Sequence, residues 1–174
     1  MNIKKIKILN IFILFILSFP LHFLYDIFPN KLISVISPVN ESLWEDMKIL
    51  YTSHIITSII EYYIIKRNNI KVNNFKSNVF LTSTLSIIIY LLIYIPINIF
   101  IKENLIISIT IMLITYIITQ YISYKIITNK KEYYKLNKIS IPLIIIIYII
   151  FTILTYIPPK LEIFYDTLNK KYGP

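Results

Sequence analysis

Two apolar blocks separated by three residues constrain this chain more than any other feature. Residues 79–101 and 105–127 are almost free of charge, and only Lys102, Glu103 and Asn104 lie between them. A hydrocarbon layer about 30 Å thick is crossed by about 20 consecutive apolar residues in a helix, and so short a link forces the two helices to run antiparallel. Comparable blocks occupy 6–25 and 139–157, and a more polar one occupies 47–65. Soluble cores are built from short apolar stripes alternating with polar faces. Blocks of this length instead predict an all-α integral membrane helical bundle of about five transmembrane helices, forming one domain over residues 1–174.

Composition agrees with that reading. Hydrophobic residues make up 56% of the chain and the mean hydropathy is +0.68, above the apolar share of roughly 45–50% usual for globular proteins. Isoleucine favours strands in water, but barrel strands alternate apolar and polar residues over about 10 positions. Residues 143–147 are apolar without alternation, and a helix satisfies its own backbone groups in lipid. Cysteine and alanine are both absent. The first absence removes disulfides and thiolate metal sites; the second, with abundant Ile, Lys, Asn and Tyr, looks like the codon bias of an AT-rich bacterial genome.

The first block begins like a signal peptide, with Lys4 and Lys5 ahead of it. No small-residue cleavage site follows, so it reads as an uncleaved span. Pro158 and Pro159 end the fifth block, because proline lacks the amide donor and clashes with the preceding turn. Lys and Arg gather in short cytoplasmic loops. With the N-terminus cytoplasmic and the C-terminus outside, twelve basic residues fall on the cytoplasmic side and six outside, while seven of the nine acids fall outside. The expected location is the bacterial plasma membrane, with the lipid bilayer as surroundings. The net charge of +9 is then explained by topology and anionic headgroups, and no nucleic-acid partner is expected.

The densest polar segment is 37–48, Ser-Pro-Val-Asn-Glu-Ser-Leu-Trp-Glu-Asp-Met-Lys. One reading is a helix start: Ser42 and Glu45 have capping-box spacing, Glu41, Glu45 and Asp46 suit a positive helix N-terminus, and Trp44 suits the headgroup interface. The other is a site. Glu41 and Glu45 are four apart, as are His22 and Asp26 at the same side of the membrane, and together these groups offer nitrogen and oxygen ligands for a divalent cation that would activate water. No zinc-binding HExxH helix and no recognisable catalytic motif is present, so the enzyme question stays open and no cofactor is expected beyond that possible metal. The outer cluster to watch is His22, Asp26, Asn40, Glu41, Trp44, Glu45 and Asp46.

Within the second block, Trp44, Met47, Tyr51, His54, Ser58, Glu61 and Tyr62 share one helix face. His54 and Glu61 lie about 10 Å apart along the axis, too far to bond directly. Their face reads either as an ion or proton path, or as packing, with Glu61 reaching back to Lys66, Arg67 or another basic loop residue. In the fourth block Ser108, Thr115, Thr119 and Ser123 form a hydroxyl face, with Gln120 beside it. The only glycine is Gly173, so GxxxG packing is excluded and hydroxyl residues are expected at helix contacts. Tyrosines near the block ends fit an aromatic belt.

The stretch Pro38-Val39-Asn40-Glu41-Ser42-x-Trp44-Glu45 followed by Lys48 resembles a family of small, uncharacterised multi-pass membrane proteins of Gram-positive bacteria. His22 to Asp26 and Tyr172-Gly173 also match, so the resemblance spans the chain. Where that family has His after Trp-Glu, this sequence has Asp46. The resemblance implies a domain of unknown function and supplies no activity. Two functions follow as expectations: a non-enzymatic membrane component, either a partner-binding subunit (for a membrane protein or a second copy) or a small transporter-like bundle, and a membrane-embedded metal-dependent hydrolase. The transporter requires a polar cavity beside His54 and Ser58; the hydrolase requires Glu41 and Glu45 close to His22.

Overall fold

A computed structural model describes residues 1–101 and 104–174; Lys102 and Glu103, assigned above to the link between the third and fourth blocks, lie outside the described residues. The described chain is a helical bundle: α1 (Ile3–Ile27), α2 (Ile33–Ile36), α3 (Leu43–Arg67), α4 (Phe75–Phe100), α5 (Leu105–Ile127) and α6 (Tyr134–Tyr156). A 3₁₀ turn at Glu162–Phe164 then leads into a small antiparallel hairpin, β1 (Tyr165–Asp166) with β2 (Lys171–Tyr172). The five long helices coincide with the five apolar blocks. Most extend a turn or so beyond them, because Lys76, Ser77 and Asn78, for example, continue α4. The short α2 and the terminal hairpin were not expected from the sequence.

Helices α1, α4, α5 and α6 are long and apolar enough to cross a membrane. The exposed surface is what lipid selects: Phe12, Ile16, Leu92 and Ile99 are each at least 60% exposed, an arrangement that water would penalise over so wide an area. The interior is inverted to match, with more polar or charged side chains than apolar ones buried among the described residues.

At 25 residues α3 has the length of the others but not their apolarity. It lies between α1 and α4, while α5 packs on those same two helices and α6 closes over α4. The half of α3 nearer Trp44 is mostly buried in this way, while Ile59, Tyr62 and Tyr63 in its other half are exposed. Apolar contacts hold the layers together: Leu14, Leu50, Tyr90, Tyr94, Ile111 and Tyr116 form one cluster across four helices.

The two ends of the bundle are fastened differently. At the Met1 end, asparagines tie the connections together. Asn74, in the left-handed conformation that Asn tolerates (φ +57°), accepts from the Tyr133 amide and donates to the Lys131 carbonyl, and Asn73 donates to the Asn129 carbonyl. At the opposite end, which carries Trp44, the α1–α3 connection and the C-terminal segment fold over each other.

Candidate functional site

At the Trp44 end the expected capping box does not form. Ser42 is the N-cap of α3 by backbone geometry, but its hydroxyl caps nothing and is buried without a hydrogen-bond partner. Glu45 does not reach back to the Ser42 amide. It is held instead by three other groups: one carboxylate oxygen accepts from Lys48 Nζ (2.6 Å) and the Val39 amide (3.0 Å), the other from the Thr155 hydroxyl of α6 (2.8 Å). Both Glu45 and Lys48 are almost completely buried. The Lys48 ammonium also donates to the Ser34 carbonyl (2.8 Å) and, at 3.5 Å, to that of Ser37. A buried charge pair needs such extra partners to offset its desolvation, and this one has them.

The rest of the expected cluster divides around that pair. His22 Nε2 lies 3.6 Å from Glu41 Oε1, with both side chains partly exposed. Asp26 is exposed and Asp46 half-buried. Asn40 points inward, its amide donating to the Gly173 carbonyl (2.9 Å) and its oxygen accepting from the Ser42 amide (2.9 Å). Trp44 does not lie free among headgroups: its ring packs on Phe151 and Phe164, with centroids 5.3 and 4.8 Å away. Thus His22 meets Glu41 but not Glu45, and no three His, Asp or Glu side chains gather into an ion-binding set among the described residues.

Asp166, which the sequence did not single out, closes this end. Its carboxylate accepts from the amides of Leu168 (2.9 Å), Asn169 (2.8 Å) and Glu41 (3.2 Å) and from the Asn169 side chain (2.8 Å). Burial alone would raise its pKa, but the hydrogen bonds, from Asn169 foremost, outweigh it and hold the carboxyl below the ordinary aspartate value. Gly173 follows at φ +72°, where a Cβ would also come within 3.2 Å of the Thr155 carbonyl, so a side chain there would be strained and crowded.

Behind this cap a polar seam follows α3 through the bundle. His54 is buried, its Nδ1 2.9 Å from the Leu50 carbonyl and its Nε2 3.0 Å from Thr119 Oγ1. The Tyr116 hydroxyl bonds with both Ser18 (2.6 Å) and Ser53 (3.0 Å). Farther along, Glu61 is fully buried rather than reaching to Lys66 or Arg67: Lys7 of α1 pairs with one of its oxygens and Asn10 donates to the other at 2.9 Å. Lys7 also donates to Ser123, and Asn10 to Gln120 at 3.4 Å. Thr119, Ser123 and Gln120 of α5 therefore meet the other helices as expected, while the Thr115 hydroxyl is buried without a partner and Ser58 turns to the Ile55 carbonyl of its own helix. Lys7 was missed because it resembles the topogenic lysines beside it. The signal that marks it is spacing: Lys7, Asn10, Leu14, Ser18 and Leu21 lie three or four apart on one buried face.

A family model described as a family of unknown function, DUF6512, matches residues 1–174. The chain belongs to DUF6512. The match agrees with the sequence reading in its extent over the whole chain and in the unknown function of the family. Comparison with curated proteins and with solved structures returns no match.

Proposed function

We propose that this DUF6512 member is a non-enzymatic, five-span component of the bacterial plasma membrane, of Gram-positive type, that binds another membrane protein or a second copy of itself through its outer cap. In this reading α3 is the second span, the N-terminus is cytoplasmic, the Trp44 end faces outside and residues 38–48 are the family's signature. The observation that carries it is how the cap is built. The buried Glu45–Lys48 pair and the Asp166 knot fix three chain segments together. Asp26 and the partly exposed His22–Glu41 pair are left on the rim. That is a preorganised surface with charge at its edge, the arrangement that lowers the cost of binding a protein. The ligand groups of the hydrolase reading are divided, since Lys48 and Thr155 hold Glu45.

In-cell photo-crosslinking tests it, with a photoreactive phenylalanine analogue at Asp26, Glu41 or Leu161 and at lipid-facing Ile59 as control. The expected result is one discrete adduct shared by the cap positions, absent from Ile59 and weakened by Asp166→Ala. Cap positions that give the Ile59 pattern would overturn the reading.

The transporter-like version is favoured by one observation, the Lys7–Glu61–Asn10–Gln120 group buried at one end of the seam with His54 beyond it. Intramembrane ionisable residues commonly mark ion or proton paths. Proteoliposomes loaded with a pH-sensitive dye decide: gradient collapse abolished by Glu61→Gln would establish a proton path, and retention equal to empty liposomes would remove it.

A further inference from the structure

A cleft of about 360 Å³ opens between α1 and α5 near the Met1 end. The helices run antiparallel here, so its two walls are matched in level. Lys4 and Lys125 stand toward the Met1 end, while Ile8, Ile11 and Ile117 continue the cleft toward the middle of the bundle. Tyr121 lies on the α5 wall with the Lys125 ammonium 5.4 Å from its ring centre. The seven steps from Lys4 to Ile11 cover about 10 Å of helix. Charge is thus confined to one end of an elongated apolar groove.

The electrostatics of that end are one-sided. Lys7 and Gln120 form part of the cleft floor, but Glu61 and Ser123 engage the Lys7 ammonium, and Asn10 engages Gln120. Lys4 and Lys125 are exposed, and among the described residues no acidic side chain lines the cleft. Two cations beside membrane-depth apolar surface call for an anion with a hydrocarbon extension. We propose that this cleft binds one anionic glycerophospholipid, its phosphate between Lys4 and Lys125 and an acyl chain along Ile8, Ile11 and Ile117. The inference rests only on α1 and α5 lying in a membrane and is independent of which way the bundle points or what binds the cap.

Phosphates beside basic side chains at a membrane surface gain enough from each lysine that removing two lowers affinity roughly 30-fold. Native mass spectrometry of the full-length, detergent-solubilised protein supplies the measurement, with phosphatidylglycerol and phosphatidylcholine as probes. One phosphatidylglycerol is expected to be retained in preference to phosphatidylcholine. Lys4→Gln with Lys125→Gln should bring retention down to the phosphatidylcholine level, whereas Lys66→Gln with Lys71→Gln, exposed lysines outside the cleft, should not. Ile117→Trp, which fills the groove and keeps both charges, should also release the lipid and serves if the double lysine variant does not fold. Equal retention of both lipids, or unchanged retention in the Lys4/Lys125 and Ile117 variants, overturns the proposal. So does displacement by glycerol phosphate at concentrations comparable to the lipid, which would reduce the site to a headgroup anion pocket.

Discussion

Glu45 and Lys48 show how a charged residue comes to lie in the core of a hydrophobic protein. Each would be untenable alone, since an unpaired buried ion costs several kcal/mol. One helical turn apart, they neutralise each other, and their remaining capacity goes to Thr155, the Val39 amide and the Ser34 carbonyl. Removing one partner leaves the other stranded. Glu45→Gln and Lys48→Met are each expected to destabilise by about 3 kcal/mol, while the double substitution should cost clearly less than the two together. Unfolding in mixed micelles as a double-mutant cycle measures the coupling. Asp166 gives a prediction in pH. Its native pKa lies below the ordinary value of about 3.9, so its contribution is fully present above that value and is lost as the pH falls through the native pKa. Trp44, the only tryptophan, packs on Phe164 next to the hairpin and reports it. Its emission should be constant from pH 7 to pH 5 and shift to the red below about pH 4, and Asp166→Asn should show the red shift already at pH 7.

At the level of helices, α3 illustrates which parts of the fold were legible. Its extent could be read because a block bounded by charged ends and free of proline is a helix in any apolar surroundings. The inward turn of its polar face followed from its polarity, since a helix with His54 and Glu61 must turn them toward other helices, whereas its place between α1 and α4 was not legible. The capping box at its start was misread for a specific reason. Ser42 and Glu45 have the right spacing, but Lys48, Val39 and Thr155 compete for the carboxylate, and Thr155 is 110 residues away. Spacing reports local options and not distant competitors. α2 and the Asp166 hairpin were missed although Asn30 caps the one and Leu168 and Asn169 bond Asp166 in the other; of their bonds, those of Ser34 to Tyr156 and of Asp166 to the Glu41 amide span the chain. The α5 contacts give a graded test. Tyr116→Phe removes hydrogen bonds to Ser18 and Ser53, and at about 0.6 kcal/mol for each in a membrane the expected loss is about 1 kcal/mol. Thermal unfolding of the purified protein checks it, with a shift in midpoint no larger than that of Thr119→Val plus one further bond.

For the whole molecule, the decisive question is whether α3 crosses the membrane along with the four more apolar helices. Its length and its position between α1 and α4 support crossing. The absence of cysteine makes the test clean. Lys31→Cys and Lys71→Cys flank α3 at exposed positions, and a membrane-impermeant maleimide applied to intact cells should label the first alone, with the second reacting only after permeabilisation. Labelling of both from one side would reduce the bundle to four spans. Beyond topology, the contact between Asn40 and Gly173 joins residues 133 positions apart. At 5–20 residues per second the ribosome needs on the order of 10 s to travel that distance, and α3 to α6 are made in the meantime. Residues 38–48 therefore emerge long before the residues that lock them. The cap can close only after α3 to α6 have been made, a delay set by the separation of its two halves along the chain.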